Sequence, residues 1–316
     1  MHAIIKADGS LDETLLIGRE PIYRGMNGNT VERIFINETE DSLIFKPVTS
    51  RAQAQAEAWV NAHILSAFPP IYPRLVACSA ANATKTHWIL FEDLGPLSHH
   101  FEESAAMEVL TYMAQWQNHD ISHLNGLSRQ GPKPTAAAMK REIHHLIEDA
   151  DAEQTWPSIP APLPYRILSL LDGECFESEE LVLSHGDLHL GNYARVSDQV
   201  KVLDWEHAHF NHRYWDLYHV IDLSHPVFPK QMTADMRERL LAHYLAAQND
   251  IGVSLGASRF KHRYYLYASL LSLWMLQLIA KDLRADKGIW PLDQLRQQLH
   301  ETTDNLMQCA EYLGIS

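Results

Sequence analysis

The chain has 316 residues, long for one domain and comfortable for two. With 46% hydrophobic and 21% charged residues it has ordinary globular composition, which excludes a disordered tail, a collagen-like chain and a coiled-coil rod. The formal net charge of −14 repels phosphate backbones and anionic lipid, so neither nucleic acid nor a membrane surface is an expected partner; a small molecule, a cation among the candidates, fits better.

The opening run MHAIIKADGSLDETLLIG has no long apolar core and no small-residue cleavage site, so no signal peptide is expected and a cytoplasmic location is. The three cysteines Cys78, Cys175 and Cys309 form no C-x-x-C pair and read as reduced thiols. Thr30–Asn37 and Ser42–Val48 are β-branched and alternating, which predicts two strands joined by a turn over the polar NETED. Ser50 is placed to cap a helix over RAQAQAEAWVNAHILSAF. Its expected apolar face is Ala56, Trp59, Val60, His63 and Ile64, and Pro69, Pro70 and Pro73 stop it. Leu75–Ser79 and Thr86–Phe91 read as short strands around an ANATK hairpin loop.

Gly95-Pro96 is a breaker pair and the best boundary in the chain. Beyond it the pattern is mostly helical: Glu102–Gln117, Thr135–Ala150 and Tyr165–Leu171, then Trp215–Asp222, Thr233–Gln248, Ala257–Leu283 and Leu292–Tyr312. Short strands interrupt at Leu181–Ser184, Asn192–Val196 and Gln199–Leu203. The most apolar stretch, Leu266–Ala280, falls short of the ~20 residues a bilayer span needs. It carries Ser269, Ser272 and Gln277, so a buried helix is expected.

The chemistry concentrates in LVLSHGDLHLGNYARVSDQVKVLDWEHAHFNHRYWD, residues 181–216. An apolar strand delivers His185-Gly186-Asp187 onto a loop, with Asn192 five residues after Asp187, and a second strand delivers Asp204. Such a set suits phosphoryl transfer: one carboxylate free of metal orients a hydroxyl and accepts its proton, while a second carboxylate and an amide are hard oxygen ligands for Mg²⁺. His185, His189, His207, His209 and His212 crowd the same segment, and their spacing invites a metal-dependent phosphohydrolase as the alternative. No second His/Asp cluster in the first 180 residues supports that reading.

The run HGDLHLGN followed by LDWE resembles the catalytic signature of the aminoglycoside phosphotransferase and choline kinase group, H-G-D-x-H-x-x-N and then an apolar pair with D-[WF]. The resemblance implies an α+β, bilobal protein-kinase-like fold, with a small β-rich lobe over residues 1–94 and a larger, mostly helical lobe over 95–316. It implies an ATP- and Mg²⁺-dependent transfer of the γ-phosphate to a hydroxyl of a small molecule. Asp187 would be the catalytic base, and Asn192 and Asp204 the Mg²⁺ ligands. Lys46 would hold the nucleotide phosphates, oriented by Glu57. Gly25 and Gly28 would lie in a phosphate-covering loop, and the Glu92 carbonyl and Leu94 N–H would face adenine. His185 would pack under the loop, His189 would lie near metal and phosphates, and Asp216 would brace the loop. The acceptor cleft is expected along Glu206–Tyr214 and helices 233–248 and 257–283, with Glu206, Asp216 and Asp222 as acidic lining for a cation. The family also contains kinase-like scaffolds of the spore-coat type, so a binding role is the second alternative. No G-x-x-x-x-G-K-[ST] occurs, which argues against a P-loop nucleotidase.

Overall fold

A computed structural model describes the chain apart from residues 1–3, 7, 26–27, 37–41, 80–86, 121–123, 125, 129–130, 132, 149–154, 157, 175, 177–180, 286–287 and 289. The expected NETED turn, the ANATK loop and Cys175 lie outside the described residues. The chain divides into two compact units. The first comprises Met1–Ser98 and Ala194–Glu206, the second His99–Tyr193 and His207–Ser316. Residues 194–206 thus belong with the β-rich unit, although the sequence assigns them to the helical lobe.

The first unit is built on a five-stranded antiparallel sheet, with strands β1 (Leu16–Arg24), β2 (Thr30–Ile36), β3 (Ser42–Val48), β4 (Leu75–Cys78) and β5 (His87–Glu92) in the order β1-β2-β3-β5-β4. Period-2 alternation sends Leu43 and Phe45 of β3 into one apolar cluster with Ile34, Trp88 and Leu90. The opposite face, with Val48, Ile89 and Phe91, packs on Ala54 of helix α1 (Arg51–His63). Ser50 caps α1, its Oγ accepting the Gln53 N–H at 3.3 Å. The buried stripe of α1 is Ala54, Glu57 and Val60, continuing to Ile64; of the expected face Val60 and Ile64 are buried, whereas Ala56 and Trp59 are half-buried and His63 is exposed. A glutamate on the buried stripe disguises it, because amphipathic counting reads acidic residues as outward-facing.

Sequence reasoning missed β1. Gly18 and Pro21 interrupt it, its register with β2 shifts at Leu16/Gly18 and Pro21/Tyr23, and most of it is exposed. It therefore lacks the alternation that marks a half-buried strand. The unit is completed by β7 (Tyr193–Val196) paired with β8 (Gln199–Val202). The Val202 N–H donates to the Ile71 carbonyl at 2.6 Å.

The second unit is helical: α2 (Glu103–Gln117), α3 (Ala136–Glu148), α4 (Pro162–Asp172), α5 (Tyr214–Ile221), α6 (Ala234–Asp250), α7 (Ala257–Ala285) and α8 (Leu292–Tyr312). A two-stranded ribbon of β6 (Val182–Ser184) and β9 (His209–Asn211) joins them; β9 is too short and too histidine-rich to read from sequence. Helix α7 is long and apolar enough by length and composition to cross a membrane, yet 61% of its most apolar window is buried within the protein itself. Its aromatic residues Phe260, Tyr264, Tyr265 and Tyr267 are core, as the stripe Phe260–Trp274 suggests.

Candidate active site

Each unit assembles its own constellation. In the first, Lys46 shares a face of β3 with Ile44 and Val48, the face covered by α1, while Glu57 lies on the buried stripe of α1. The two meet at 3.6 Å between Nζ and Oε2. Lys46 Nζ also donates to Asp204 Oδ1 at 2.6 Å, across 158 residues of sequence, and to Glu206 Oε2 at 3.0 Å. Gln53 Nε2 donates to Glu206 Oε2 at 2.7 Å. Asp204 follows β8 at φ 60°, the left-handed region, where aspartate is among the few side chains tolerated.

The charges in this cluster oppose one another. Burial alone would lower the Lys46 pKa, but Asp204, Glu57 and Glu206 outweigh it and hold the ammonium well above its ordinary range. For Glu57 burial dominates and is only partly offset by Lys46, so its carboxyl is pushed up to about 7. One oxygen from each of Glu57, Asp204 and Glu206 lies within 4.8 Å of the others. Hard carboxylate oxygens so gathered fit a divalent cation of the Mg²⁺ type. Among the described residues this is the one group with ligand atoms so placed, and it contains no histidine, so the phosphohydrolase alternative gains no support. Glu206, expected at the start of the acceptor-cleft segment, accepts here from Lys46 and Gln53.

Between β1 and β2 the Gly25 N–H donates to the Asn29 carbonyl at 2.8 Å and the Gly28 N–H to the Gly25 carbonyl at 2.9 Å. Those two amides are therefore engaged by backbone carbonyls, contrary to a cradle in which they face phosphate; Met26 and Asn27 lie outside the described residues. Glu92 ends β5, and its carboxylate accepts the Arg74 N–H at 2.8 Å. Leu94 follows in a bend closed by the Gly95 N–H on Asp93 Oδ1 at 2.9 Å. Asp93 also accepts from Ser42 Oγ at 2.6 Å and from Arg33, tying the strand end to β2 and β3.

In the second unit, β6 leads into His185-Gly186-Asp187. Gly186 has φ +87°, and a Cβ there would sit 2.3 Å from the His207 carbonyl oxygen, so only glycine fits. Asp216, fully buried in the first turn of α5, accepts from Ser184 Oγ at 2.9 Å, the His185 N–H at 2.8 Å and the Gly186 N–H at 3.2 Å. Trp215 Nε1 donates to the Gly186 carbonyl at 2.9 Å. His185, completely buried, accepts the Asp187 N–H on Nδ1 at 3.3 Å. Asn192 Nδ2 donates to the Asp187 carbonyl at 2.6 Å. The loop is pinned from below by buried partners while the Asp187 side chain stays 23% exposed.

Asp187 Oδ1 accepts from Lys133 Nζ at 2.6 Å, and Oδ2 lies 3.7 Å from His189 Nε2. Burial would raise the Asp187 pKa, but Lys133, His189 and His219 outweigh it and hold the carboxyl well below the usual range, so it is ionised. His189 stacks on His225 at 4.7 Å between centroids and 7° between planes, with Phe228 beside both. Burial pushes His189 down to about 3 and His225 down to about 4, so both rings are neutral at pH 7. The Gly191 N–H donates to His189 Nδ1 at 3.0 Å and the Val227 N–H to His225 Nδ1 at 3.2 Å. A neutral imidazole that accepts on Nδ1 carries its proton on Nε2, so both rings present Nε2–H donors.

Three sequence expectations need correction here. Asp216 and Asp222 do not line a cleft: both are fully buried, Asp216 under the loop and Asp222 accepting from Arg237 Nη2 at 2.7 Å and Tyr264 Oη at 2.5 Å. His99-His100 reads in the sequence as a surface pair, but His99 is half-buried: its Nδ1 lies 3.2 Å from the carbonyls of Leu190 and Tyr193 and its ring is tilted against Phe228. His209 is a buried residue of β9, hydrogen-bonded to the His207 carbonyl at 2.8 Å. Lys133 was missed outright, because a lysine between Pro132 and Pro134 in a loop carries no sequence signal; only tertiary structure sets it beside Asp187.

Comparison with known structures defines the class first. The chain resembles a spectinomycin phosphotransferase crystallised with ADP and spectinomycin (12% identity, TM-score 0.60, covering 93% of this chain and 94% of that one). It also resembles a choline/ethanolamine kinase family protein of Mesorhizobium loti (13% identity, TM-score 0.57, 96% and 95% covered), and choline kinase of Cryptosporidium parvum Iowa II (16% identity, TM-score 0.56, 96% and 91% covered). At these identities the likeness establishes the fold, which is α+β and protein-kinase-like. No curated protein matches the chain by sequence comparison. The profile of the phosphotransferase enzyme family matches residues 26–253, and the chain belongs to that family, the aminoglycoside phosphotransferase and choline kinase group.

Proposed function

We propose that the protein is an ATP- and Mg²⁺-dependent phosphotransferase that moves the γ-phosphate to a hydroxyl of a small molecule. The observation that carries this reading is Asp187: an ionised, partly exposed carboxylate on a loop whose backbone is fixed by Asp216, Trp215 and Asn192. In the transfer, the acceptor oxygen forms a bond to the γ-phosphorus, the bond from that phosphorus to the β,γ-bridging oxygen breaks, and ADP leaves. Asp187 orients the hydroxyl and takes its proton late, so the base need not be strong.

Lys46 is assigned to the nucleotide phosphates, exchanging its ion pair with Asp204 for phosphate oxygens, while Glu57 holds the ammonium in place. Asp204, with Glu206 and Glu57 beside it, and Asn192 are assigned to Mg²⁺, which when bound neutralises charge on the transferring phosphoryl group. The Asn192 amide group donates to the Asp187 carbonyl, leaving Oδ1 as its ligand atom. Glu92 and Leu94 are assigned to adenine through their backbone. A scaffold role has no observation in its favour, since Lys46, Asp187, Asn192 and Asp204 are all present.

Calorimetry tests the nucleotide half. ATP is expected to bind only with Mg²⁺, and Lys46→Ala to weaken binding about ten- to a hundredfold, the worth of one charge-assisted hydrogen bond. ATP binding indifferent to both Mg²⁺ and Lys46 would contradict the assignment.

A further inference from the structure

The proposal deepens the reading above by naming the acceptor class. Four side chains surround the reacting end of Asp187 or stack beside it: Lys133, His189, His225 and Phe228. Trp215 lies beneath Lys133, with Nζ 6.0 Å from a ring centroid, and Trp290 meets His225 edge-on at 5.2 Å. The three carboxylates expected from the sequence to draw a cation are engaged with other partners. Asp216 holds the loop from beneath, Asp222 is sealed against Arg237, and Glu206 belongs to the Lys46 cluster.

Lys133 and His189 face Asp187 as donors, and His225 stacks on His189. Lys133 has three N–H groups, of which Asp187 Oδ1 takes one. The stacked imidazoles are each fixed by a backbone N–H on Nδ1, so each offers Nε2–H. One carboxylate against one ammonium and two neutral N–H donors gives a cationic acceptor no net attraction and offers an anion hydrogen bonds.

We propose that the acceptor is an anionic alcohol, a hydroxyl compound bearing a carboxylate or phosphate group, and that Lys133 with His189 and His225 recognises that group while the hydroxyl meets Asp187. Lys133 keeps Oδ1 with one N–H and turns the others to the acceptor's oxyanion. Phe228 and the Trp290 edge supply apolar walls for a short carbon skeleton.

The test measures ADP release by the full chain with ATP and Mg²⁺ over matched acceptors of three charge classes. These are hydroxy acids and phosphorylated alcohols as the two anionic arms, neutral diols, and amino alcohols with aminoglycosides. The anionic members are expected to show the highest kcat/KM. The arm that responds identifies carboxylate or phosphate. In Lys133→Met the ratio of kcat/KM for the anionic acceptor over its neutral partner should fall about ten- to a hundredfold, and Lys133→Arg should restore much of it. Because the ratio cancels general damage, an unfolding or sluggish variant does not mimic this result. A second readout needs no turnover: titration with the same anions should perturb tryptophan fluorescence, through Trp215 under Lys133, and Lys133→Met should abolish the response. Preference for amino alcohols, an unchanged ratio in Lys133→Met, or no fluorescence response to any anion overturns the proposal. It leaves phosphotransfer intact wherever ADP release still depends on an acceptor. Absence of both ATP binding and ADP release would instead sink the reading on which it rests.

Discussion

Asp216 shows how much one buried side chain can determine. It satisfies three donors at once, two of them backbone N–H groups of the His185-Gly186-Asp187 turn. Removing it as Asp216→Ala takes the acceptor from Ser184 Oγ and the His185 N–H in a site with no room for bulk solvent, while the Gly186 N–H keeps Ser184 Oγ at 3.1 Å. The expected loss is about 3–5 kcal/mol of stability by chemical denaturation, with activity falling alongside. Asp216→Asn, which retains one acceptor oxygen, should lose less. Gly186→Ala makes a sharper case, because its φ of +87° and the 2.3 Å approach to the His207 carbonyl are both backbone constraints. Strain and overlap together predict about 2–5 kcal/mol of destabilisation, read as a lowered denaturation midpoint with activity lost before the fold. A neutral cost for that substitution would mean the turn is not as tight as described. At this scale the sequence was informative where a motif fixes residue type and spacing, as at Asp187, Asn192 and Asp204. It was silent on Lys133 and misleading on Asp222, whose partners Arg237 and Tyr264 lie on later helices.

Among the elements, α1 teaches the most. Its cap at Ser50 was legible, as were Val60 and Ile64 of its buried face; its end at His63 and the burial of Glu57 were not, since Glu57 takes a core position by pairing with Lys46 on β3. A polar residue that is paired inside defeats any count that treats charge as outward-facing. Ser50→Ala should cost about 0.5–2 kcal/mol through loss of the cap, and because α1 carries Glu57 and Gln53, a modest rise in KM for ATP is expected with it. Thermal denaturation and steady-state kinetics on the one variant separate the two effects. Strand β1 was illegible for a different reason. Its stability comes from pairing with β2 and not from burying a face, so the alternation that reveals β3 and β5 is missing. Helices α6, α7 and α8 were legible almost to their ends, since long apolar periodicity survives a few buried polar residues.

For the molecule as a whole, the stability of the helical unit carries a pH signature. Lys230 is completely buried, donating to the Val220 carbonyl at 2.6 Å at the end of α5. Burial outweighs the attraction of Asp222 and Glu301 and pushes its pKa down to about 7. The folded pKa is thus depressed below the unfolded one, so between about 7 and the ordinary lysine value the unfolded chain binds the extra proton. Stability from this group must therefore rise with pH across that window, by up to about 1.4 kcal/mol per unit. Below pH 7 the charged form is present in both states and the contribution no longer changes. Denaturation curves from pH 6.5 to 9.5 should show the rise in the wild-type chain and lose it in Lys230→Met; an identical slope in both would refute the assignment. The overall α+β architecture was readable because a motif-bearing loop, a strand lysine and a helix glutamate occur in the right order. The grouping of residues 194–206 with the β-rich unit was not, since nothing local marks a segment that returns to an earlier part of the chain.

The account turns on Asp187 as the group that receives the acceptor's proton. The direct measurement is acceptor-dependent ADP release by wild type and Asp187→Asn, at saturating ATP and Mg²⁺, with ATP affinity followed by calorimetry on the same samples. The account predicts that kcat falls by about 10²–10⁴-fold while ATP affinity is largely kept. Turnover that survives the substitution unchanged would contradict it.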